Sequence, residues 1–492
     1  MSYFYCYTVD NRYWVYDRYT NQIAEVDDVA FEIFKTSHKH KFDSQRVLDT
    51  ISSFKSEILN KKLDEIKLFQ KTQNAFKTFN FKSCDINLSE NEIERKYNNE
   101  LFHIIFNITD DCNLRCDYCK YSGNYSGVKI LQNKVMPDNI IDKSIALIKK
   151  YYKNQKTLMI GFYGGEPLLE YKKIKYIIER FKNTYKKVRF SLSTNGMLLS
   201  DEKIRFFEKN NVSVKISIDG PENIHNRYRK TKKEMPSFST IEKKLNIIRE
   251  QFESYYKNKI GFLVTLAPPY QIPDIISYLE KIVTLNNPVI FNFVDPFDTS
   301  FFEQFDQDEN ELTKKKQLIQ LREEYFYALK TNDRSIRKKL LDDLFGKNYL
   351  QMEERSIFPL QSNVVFPNAA CFPGLDRLYI STDGQLYMCE KVYESLRIGD
   401  VFNGFNLNLI KNVINKYCRI VEKVCLECWA YRLCQTCYVS ALKEGKLDLN
   451  RKTEDCKKRK KSIINLLHTY TKVKMYNPSA FTNSKEYSTY PV

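Results

Sequence analysis

Residues 110–123 read DDCNLRCDYCKYSG, and three cysteines, Cys112, Cys116 and Cys119, stand in this stretch in the spacing CxxxCxxC. Three closely spaced thiolates can hold a 4Fe-4S cluster through three of its irons and leave the fourth iron open to another ligand. A zinc site completed by a distant ligand is the alternative. The chain has five histidines, and none stands near this loop at zinc-finger spacing, so the pattern favours the cluster.

The stretch follows the first of six apolar segments that alternate with helical patterns. The apolar segments have the length and composition of buried parallel strands and are residues 101–109, 157–165, 188–196, 212–220, 260–269 and 288–296. Periodic helical segments lie between them, at 139–152, 171–182, 200–210 and 239–252. These units predict an α/β fold with a partial (β/α)6 TIM-type barrel over residues 98–305. In such folds the reactive groups gather at the C-terminal ends of the strands.

Other regions flank the predicted barrel. Residues 1–85 contain three short alternating segments, FYCYTV, RYWVYD and QIAEVDD, and then helical patterns at 27–37 and 43–59. This order predicts a winged-helix-like module with a linker. Residues 306–365 are charged and predict bridging helices, whereas residues 366–465 hold eight cysteines and predict a domain that folds around metal. Residues 466–492 carry no clear pattern and are interpreted as a tail.

Composition narrows the setting of this chain of 492 residues. It lacks both a signal peptide and a run of roughly 18 apolar residues, so we expect a cytoplasmic protein without a membrane partner. In that reducing compartment, thirteen cysteines predict metal or cluster binding rather than disulfides. The formal net charge is +17, but Lys and Arg are spread along the chain. A solvated basic surface is therefore favoured over a nucleic-acid groove, and an acidic peptide partner would also suit the charge.

The segment CNLRCDYC resembles the signature of the radical S-adenosylmethionine (SAM) superfamily, in which SAM chelates the open iron. GGEP at 164–167 resembles the motif that holds the methionyl amine: glycine permits close backbone approach, and a glutamate can pair with an ammonium. Polar residues at the ends of the third and fourth strands resemble the lining of the SAM cleft. The resemblance implies SAM contacts from Tyr118, Gly164, Gly165, Glu166, Ser193, Asn195, Ser217, Asp219 and Arg229.

The later cysteines resemble the SPASM domain, which carries two auxiliary 4Fe-4S clusters, so the resemblance implies three clusters in all. One auxiliary cluster would be held by Cys425, Cys428, Cys434 and Cys456, and the other by Cys371, Cys389 and Cys437. Two clusters need eight ligands, and the two sets supply seven cysteines, so the second set lacks its fourth. This predicts an open iron site for a substrate thiolate, unless Cys418 is the missing ligand. The family has three residues between its last two close cysteines, whereas this chain has two, Gln435 and Thr436.

Glu390 directly follows Cys389. In anaerobic sulfatase-maturating enzymes, which the chain otherwise resembles, an aspartate follows the matching cysteine as the base. A glutamate at this place can take a proton from a substrate thiol. A salt-bridged carboxylate without a catalytic role is the alternative.

The N-terminal module resembles the recognition domain with which peptide maturases bind a leader segment as an added edge strand. The resemblance therefore implies a leader-dependent maturase that uses a 5′-deoxyadenosyl radical to crosslink a ribosomally synthesised precursor peptide, favouring a thioether from cysteine sulfur to carbon. An electron donor such as flavodoxin or ferredoxin is expected. Two alternatives stay open: a formylglycine-generating sulfatase maturase, and a cluster-bearing RNA-modifying or nucleic-acid-binding protein.

Overall fold

The computed structural model describes residues 4–40, 44–77, 88–153, 156–362 and 369–481. Cys84, the end of the predicted linker and the last residues of the predicted tail lie outside these ranges. No helix in the described ranges combines the length and the apolar composition needed to cross a bilayer.

The N-terminal region begins with an antiparallel meander of three strands: β1 (Phe4–Val9), β2 (Arg12–Asp17) and β3 (Gln22–Val26). Asp10 and Asn11 link the first two strands with positive φ angles of 46° and 62°, the backbone that a tight two-residue hairpin requires. Three helices follow: α1 (Asp28–His40), α2 (Ser44–Thr50) and α3 (Ser56–Thr72). The strands and the first helix match the sequence prediction.

The helix predicted over 43–59 is two helices in the structure, because α2 ends at Thr50 and α3 begins at Ser56. Ser52 and Ser53 lie in the break, and serine side chains compete with the helix for backbone hydrogen bonds. Helix α3 runs to Thr72, and α4 (Glu90–Glu100) leads into the central sheet, starting in a capping box formed by Ser89 and Glu92.

The central sheet confirms the six predicted strands. They are β4 (His103–Thr109), β5 (Leu158–Gly164), β6 (Val188–Thr194), β7 (Val212–Ser217), β8 (Ile260–Leu266) and β9 (Val289–Phe293). All six are parallel and neighbours in chain order. The helices between them are α5 (Asp138–Tyr151), α6 (Tyr171–Thr184), α7 (Asp201–Lys209), α8 (Glu222–Tyr228), α9 (Phe238–Gln251), α10 (Glu253–Lys259) and α11 (Ile272–Ile282).

The C-terminal region joins the same sheet, which the sequence pattern did not predict. Its strands are β10 (Leu378–Ile380), β11 (Gln385–Tyr387), β12 (Arg397–Asp400) and β13 (Gly404–Phe405). Strand β10 pairs parallel with β4, and the others extend the sheet antiparallel, so that the ten-stranded sheet has β13 and β9 at its edges. This region also buries an apolar cluster that includes Tyr379, Met388 and Tyr417, so it has a core besides its cysteines.

The remaining helices tie the regions together. The bridging helices are α12 (Gln307–Lys330), α13 (Ile336–Leu341) and α14 (Lys347–Glu353), as the charge pattern predicts. The C-terminal region contributes α15 (Leu407–Cys425), the short hairpin of β14 (Leu442–Lys443) and β15 (Lys446–Leu447), and α16 (Leu449–Tyr476). The predicted boundary at residue 465 falls inside α16, which continues along β1, where the Tyr7 hydroxyl is 2.7 Å from Thr471 Oγ1. Residues 466–476 are therefore not a separate tail.

Candidate functional site

The loop with Cys112, Cys116 and Cys119 leaves the C-terminal end of β4. The sulfur of Cys112 accepts a hydrogen bond from the Leu114 backbone N–H at 3.4 Å, and the sulfur of Cys119 accepts one from the Tyr121 N–H at 3.5 Å. Burial raises the pKa of Cys112 to about 12 and raises those of Cys116 and Cys119 as well, with neighbouring thiolates adding to the first two. Three adjacent, half-buried thiols, two of which accept backbone hydrogen bonds, fit an iron-sulfur cluster, because a bound cation stabilises them as thiolates.

The GGEP segment braces the backbone of this loop. Gly165 N–H donates to Thr109 O and Glu166 N–H donates to Asp111 O, each at 2.8 Å. A Cβ on Gly165 would lie 2.1 Å from Asp111 O, and Gly164, at φ +136°, leaves no more room beside Thr109. The glycines are thus required here by the packing of two chain segments against each other.

Glu166 is fully buried, and its carboxylate accepts three hydrogen bonds. Thr194 Oγ1 and Leu168 N–H donate to one oxygen at 2.7 and 3.0 Å, and Asn195 N–H donates to the other at 2.7 Å. Burial raises the pKa of this carboxyl group, while the three donors lower it. Glu166 therefore ties the ends of β5 and β6 together, and its contact with a methionyl amine stays a prediction.

Tyr118, Asp219 and Arg229, which are distant in sequence, meet in one buried cluster. Asp219 accepts hydrogen bonds from the Tyr118 hydroxyl and, at 2.7 Å, from Arg229 Nε. The Arg229 guanidinium lies 5.6 Å from the centroid of the Tyr118 ring. The structure thus brings three of the predicted SAM-contact residues together beside Cys116, whose pKa the Arg229 charge lowers against the larger effect of burial.

The other predicted SAM-contact residues lie at the ends of neighbouring strands. Asn195 Nδ2 donates to Asn113 Oδ1 at 2.7 Å and lies 3.8 Å from the Cys112 sulfur, so it links β6 to the cysteine loop. Ser193 and Ser217 are half-buried near the ends of β6 and β7. Their contact with SAM stays a prediction.

His225, which the sequence did not point to, supports the cluster of Tyr118, Asp219 and Arg229 through hydrogen bonds. Its Nδ1 accepts from the Asp219 N–H at 3.3 Å, its Nε2 is 3.1 Å from Ser237 Oγ, and that hydroxyl donates to Arg229 O at 2.5 Å. Burial lowers the pKa of His225 to about 3, so the ring is neutral and acts as an acceptor at Nδ1. A histidine six residues after Asp219 has no pattern that could have marked it.

Four of the C-terminal cysteines line one small cavity of about 30 Å³: Cys425, Cys428, Cys434 and Cys456. A hydrogen bond between Cys425 and Cys456 raises the pKa of the Cys425 thiol and lowers that of Cys456 to about 7. Lys452, which also lines the cavity, lowers the pKa of both thiols. These are the four cysteines that the resemblance assigns to one auxiliary cluster.

Cys371, Cys389 and Cys437 form the third set. Burial raises the pKa of Cys371 and of Cys389 to about 12, and the charge of Cys437 raises both further. Cys418 is buried in α15 within the main apolar core, and Cys6 lies in β1. Within the described ranges, no three His, Cys, Asp or Glu side chains are grouped to hold a single metal ion, a finding that leaves the cluster assignments as predictions.

Glu390 is ion-paired with Arg377, and the side chains are 11% and 20% exposed. Its second oxygen, Oε2, is buried and has no hydrogen-bond partner among the described residues. The salt-bridged state is thus the one observed. The buried Oε2 beside Cys389 leaves an acceptor for a proton, so the role as base remains a prediction.

The N-terminal module contacts the four-cysteine region directly. The Arg18 guanidinium, which is almost fully buried, donates to the carbonyls of Leu426 and Cys428 at 2.9 and 3.1 Å. Tyr5 stacks on Trp429 with ring centroids 4.2 Å apart. No sequence motif indicated this contact, which joins residues more than four hundred positions apart.

The chain is similar in sequence to known proteins. Residues 106–269 match the model of the Radical SAM superfamily. The cysteine-type anaerobic sulfatase-maturating enzyme of Clostridium novyi is 25% identical over 346 residues, which are 67% of this chain and 85% of the relative. The radical SAM cyclopropyl synthase TigE of Paramaledivibacter caminithermalis is 26% identical over 329 residues, 61% of this chain and 67% of the relative.

Two solved structures share the fold. Native anSMEcpe with bound AdoMet aligns with a TM-score of 0.53 at 20% identity and covers 76% of this chain and 100% of its own. The same enzyme with AdoMet and the Kp18Cys peptide aligns with a TM-score of 0.54 at 20% identity, covering 76% and 99% of the two chains. At this identity the likeness concerns the fold alone.

Proposed function

We propose that this chain crosslinks a ribosomally synthesised precursor peptide. The premise is that residues 106–269 are a radical SAM domain and that the chain is an enzyme that uses SAM and a 4Fe-4S cluster. The preferred product is a thioether between a cysteine sulfur and a carbon of another residue. The observation that carries the proposal is the third cysteine set, Cys371, Cys389 and Cys437, which has three thiols where a closed cluster needs four.

The cofactors define what the protein side chains must do. When bound, the clusters supply the electron that cleaves SAM to a 5′-deoxyadenosyl radical and accept the electron that crosslinking releases. We assign Cys112, Cys116 and Cys119 to the SAM-binding cluster. Tyr118, Asp219 and Arg229 would shape the SAM pocket beside them. His225 accepts a hydrogen bond from the Asp219 N–H and is linked to the Arg229 carbonyl through Ser237.

The two C-terminal cysteine sets are assigned to auxiliary clusters, giving three clusters in all. The open site of the three-cysteine set would take the substrate thiolate, and Glu390 would take the thiol proton on its buried Oε2. Arg377 orients Glu390 for this role through their ion pair. Each crosslink then removes one hydrogen atom from carbon, one proton from sulfur and one electron, and the product is two hydrogens lighter than the precursor.

The N-terminal meander and its helices are proposed as a winged-helix-like leader-binding module. Strand β3 has β2 as its one partner among the described strands, and its residues are half-buried or exposed. Such an edge can accept an extended peptide as a further strand. A cytoplasmic location and an electron donor of flavodoxin or ferredoxin type complete the proposal.

Two observations favour specific alternatives within the same chemistry. The match to a sulfatase-maturating enzyme over 85% of its length supports conversion of a protein cysteine to formylglycine. The match to TigE, named a cyclopropyl synthase, supports carbon-carbon bond formation instead of a thioether. The neighbour structure with a bound peptide supports a peptide substrate in each case.

The deciding experiment is co-expression of the enzyme with short cysteine-containing reading frames from its genomic neighbourhood, followed by mass spectrometry. A loss of two hydrogens per crosslink, with protection of one cysteine thiol from alkylation, supports the thioether. A loss of two hydrogens with all cysteines still alkylated indicates a carbon-carbon bond. Peptides unchanged across all candidates, together with formylglycine formation in a sulfatase peptide, would establish the maturase alternative.

Iron analysis tests the cofactor count. After anaerobic reconstitution, three 4Fe-4S clusters require about twelve irons per chain. Four irons would contradict the three-cluster assignment. Replacing Cys371, Cys389 and Cys437 with Ala removes about four irons if that set holds a cluster.

A further inference from the structure

A groove of about 750 Å³ lies between the bridging helices, the start of the N-terminal strand β3 and helix α16. Its lining residues come from four parts of the chain and include Asn21, Phe293, Arg322, Tyr349, Phe358 and Arg459. We name this space the bridge groove. Its volume is in the range of pockets that enclose a bound molecule.

One wall of the bridge groove, the segment that follows α14, is fixed to the turn between β2 and β3. Arg355 Nε donates to Asn21 O at 2.9 Å, and Asn21 Nδ2 donates to Ser356 O at 3.1 Å. The Leu360 N–H donates to Tyr19 O at 3.1 Å. The protein itself therefore orders this wall, which reduces the entropy that a ligand loses by ordering it.

The charged side chains of the bridge groove are mostly cationic. Glu354 is the one acidic residue among the described residues that line it, whereas the arginines are Arg322, Arg355, Arg432 and Arg459. Arg459 is 3.5 Å from Asp455. The half-buried Arg322 has its guanidinium 5.4 Å from the centroid of the Phe345 ring. Positive charge of this kind attracts a ligand that carries carboxylates.

The bridge groove also presents apolar rings to a ligand. Phe293 and Phe358 are 42% and 46% exposed, although both are large apolar side chains. Exposed rings in a concave site offer contact area to apolar groups of a bound molecule. The groove therefore suits a ligand that combines acidic and apolar side chains.

The position of the bridge groove favours an extended peptide as this ligand. Asn21 directly precedes β3, which is the proposed leader edge, and Phe293 is the last residue of β9. Because β9 and β4 run parallel, Phe293 lies at the same edge of the sheet as the loop of Cys112. The groove thus adjoins both the leader edge and the reactive edge. A folded protein partner needs instead a contact surface of about 800 Å².

We propose that the bridge groove binds the segment of the precursor peptide between the leader and the modified residues, and that it selects a segment with acidic and apolar side chains. The inference rests on the proposed function for the identity of the ligand as a precursor peptide. Carboxylates of the segment pair with Arg322 and Arg459, and its apolar side chains pack on Phe293 and Phe358.

Two hexapeptides test the proposal by isothermal titration calorimetry on the anaerobically reconstituted enzyme. Both are acetylated and amidated, and in one leucine alternates with glutamate, whereas in the other it alternates with glutamine. The two peptides match in length, apolar content and blocked termini. We expect the glutamate peptide to bind about tenfold more tightly, because it alone supplies carboxylates to the arginines.

Two variants locate the binding. Arg322→Gln should weaken binding of the glutamate peptide about threefold to fivefold and leave the glutamine peptide unaffected. Phe358→Ala should weaken both peptides about threefold. The Phe358 ring is 46% exposed, so this variant keeps the test valid if Arg322→Gln fails to fold. Lys330→Gln and Leu285→Ala change exposed residues outside the groove and should leave both affinities unchanged.

An electron donor is the other occupant that the experiment must exclude. Tyr431, Arg459 and Ile463 line both the bridge groove and the cavity of the four cysteines, so an acidic donor docked there would adjoin that site. The test compares 5′-deoxyadenosine formation driven by reduced flavodoxin with that driven by dithionite. We expect Arg322→Gln to leave both rates unchanged.

Three results would overturn the proposal. They are equal affinities for the two hexapeptides, losses in Arg322→Gln and Phe358→Ala no larger than in the two controls, and a lower flavodoxin-driven rate in Arg322→Gln with unchanged peptide binding. Hexapeptide binding requires neither SAM nor crosslinking. Selective binding by an enzyme that leaves every candidate precursor unmodified would therefore support the groove and show that the proposed function alone has failed.

Discussion

The two cysteine regions of this molecule are built in opposite ways. Cys112, Cys116 and Cys119 lie in one short loop whose backbone is held by neighbouring residues at the end of strand β5, above all by Gly165 and Glu166. The C-terminal cysteines come from segments spread over residues 371–456, and one set is reached by Arg18 from the far end of the chain. A local site depends on its loop, whereas a distributed site depends on the whole fold.

Removing the thiols of the local site should have the largest effect. We expect Cys112→Ala, Cys116→Ala or Cys119→Ala to reduce reductive SAM cleavage to the level without enzyme, because no spare ligand stands in the loop. The measurement is 5′-deoxyadenosine formation with dithionite under anaerobic conditions. Cys6→Ala, a half-buried thiol in β1, is the matched control and should retain cleavage. Cleavage that survives any of the three loop substitutions would refute the assignment.

Gly165→Ala should damage the local site through its backbone. The added Cβ would meet Asp111 O at 2.1 Å, and relieving that overlap must displace the start of the cysteine loop. We expect a loss of stability of about 3 kcal/mol, seen as a lower thermal midpoint, together with loss of SAM cleavage. Gly161→Ala, in the strand β5 that precedes Gly165, is the control, because its Cβ would lie 3.4 Å from Ile105, an ordinary contact. Equal losses of stability and of SAM cleavage in Gly165→Ala and Gly161→Ala would show that the close contact of Gly165 with Asp111 does not support the cysteine loop.

Glu390→Gln should impair the reaction at the C-terminal cysteines and leave the reaction at the first cysteine loop unchanged. Glutamine keeps the size of the side chain but cannot take the thiol proton, so we expect peptide crosslinking to fall about 100-fold while SAM cleavage continues. The readout is the ratio of crosslinked peptide to 5′-deoxyadenosine. Glu390→Asp should recover part of the crosslinking. If both products fell together in Glu390→Gln, Glu390 would act on the fold or the clusters and not as a base.

Arg18→Ala should destabilise the four-cysteine site, although Arg18 lies at the other end of the chain. We expect the smallest effect of the four from this substitution. The change leaves the carbonyls of Leu426 and Cys428 without a buried donor, at a cost of about 2 kcal/mol. We expect reconstituted protein to lose up to about four irons per chain while SAM cleavage persists. Arg12→Ala breaks an exposed pair with Glu25 and should cost less than about 1 kcal/mol. Full iron content in Arg18→Ala would show that the four-cysteine site stands without the N-terminal module.

The six parallel strands and their helices could be predicted because the signals are local. Each strand is a short apolar run, and each helix, such as α5 or α6, repeats its apolar residues at the helical spacing, so the pattern and the structure follow from the same burial. The N-terminal hairpin was predictable for a similar reason, since Asp10 and Asn11 accept positive φ angles. The break between α2 and α3 was not, because serines at 52 and 53 weaken a helix only slightly.

By itself, the sequence determined the cysteine spacing, the order of strands and helices, and the motif residues from Gly164 to Glu166 that support the first loop. Only the tertiary structure decided that β10 adds to β4, that α16 continues past residue 465 to pack on β1, and that Arg18 reaches the carbonyls beside Cys428. It also decided that the His225 ring accepts a hydrogen bond from the Asp219 backbone N–H. The physical reason is that local patterns record which residues are buried, whereas long-range pairing depends on packing and charge between segments that no periodicity connects.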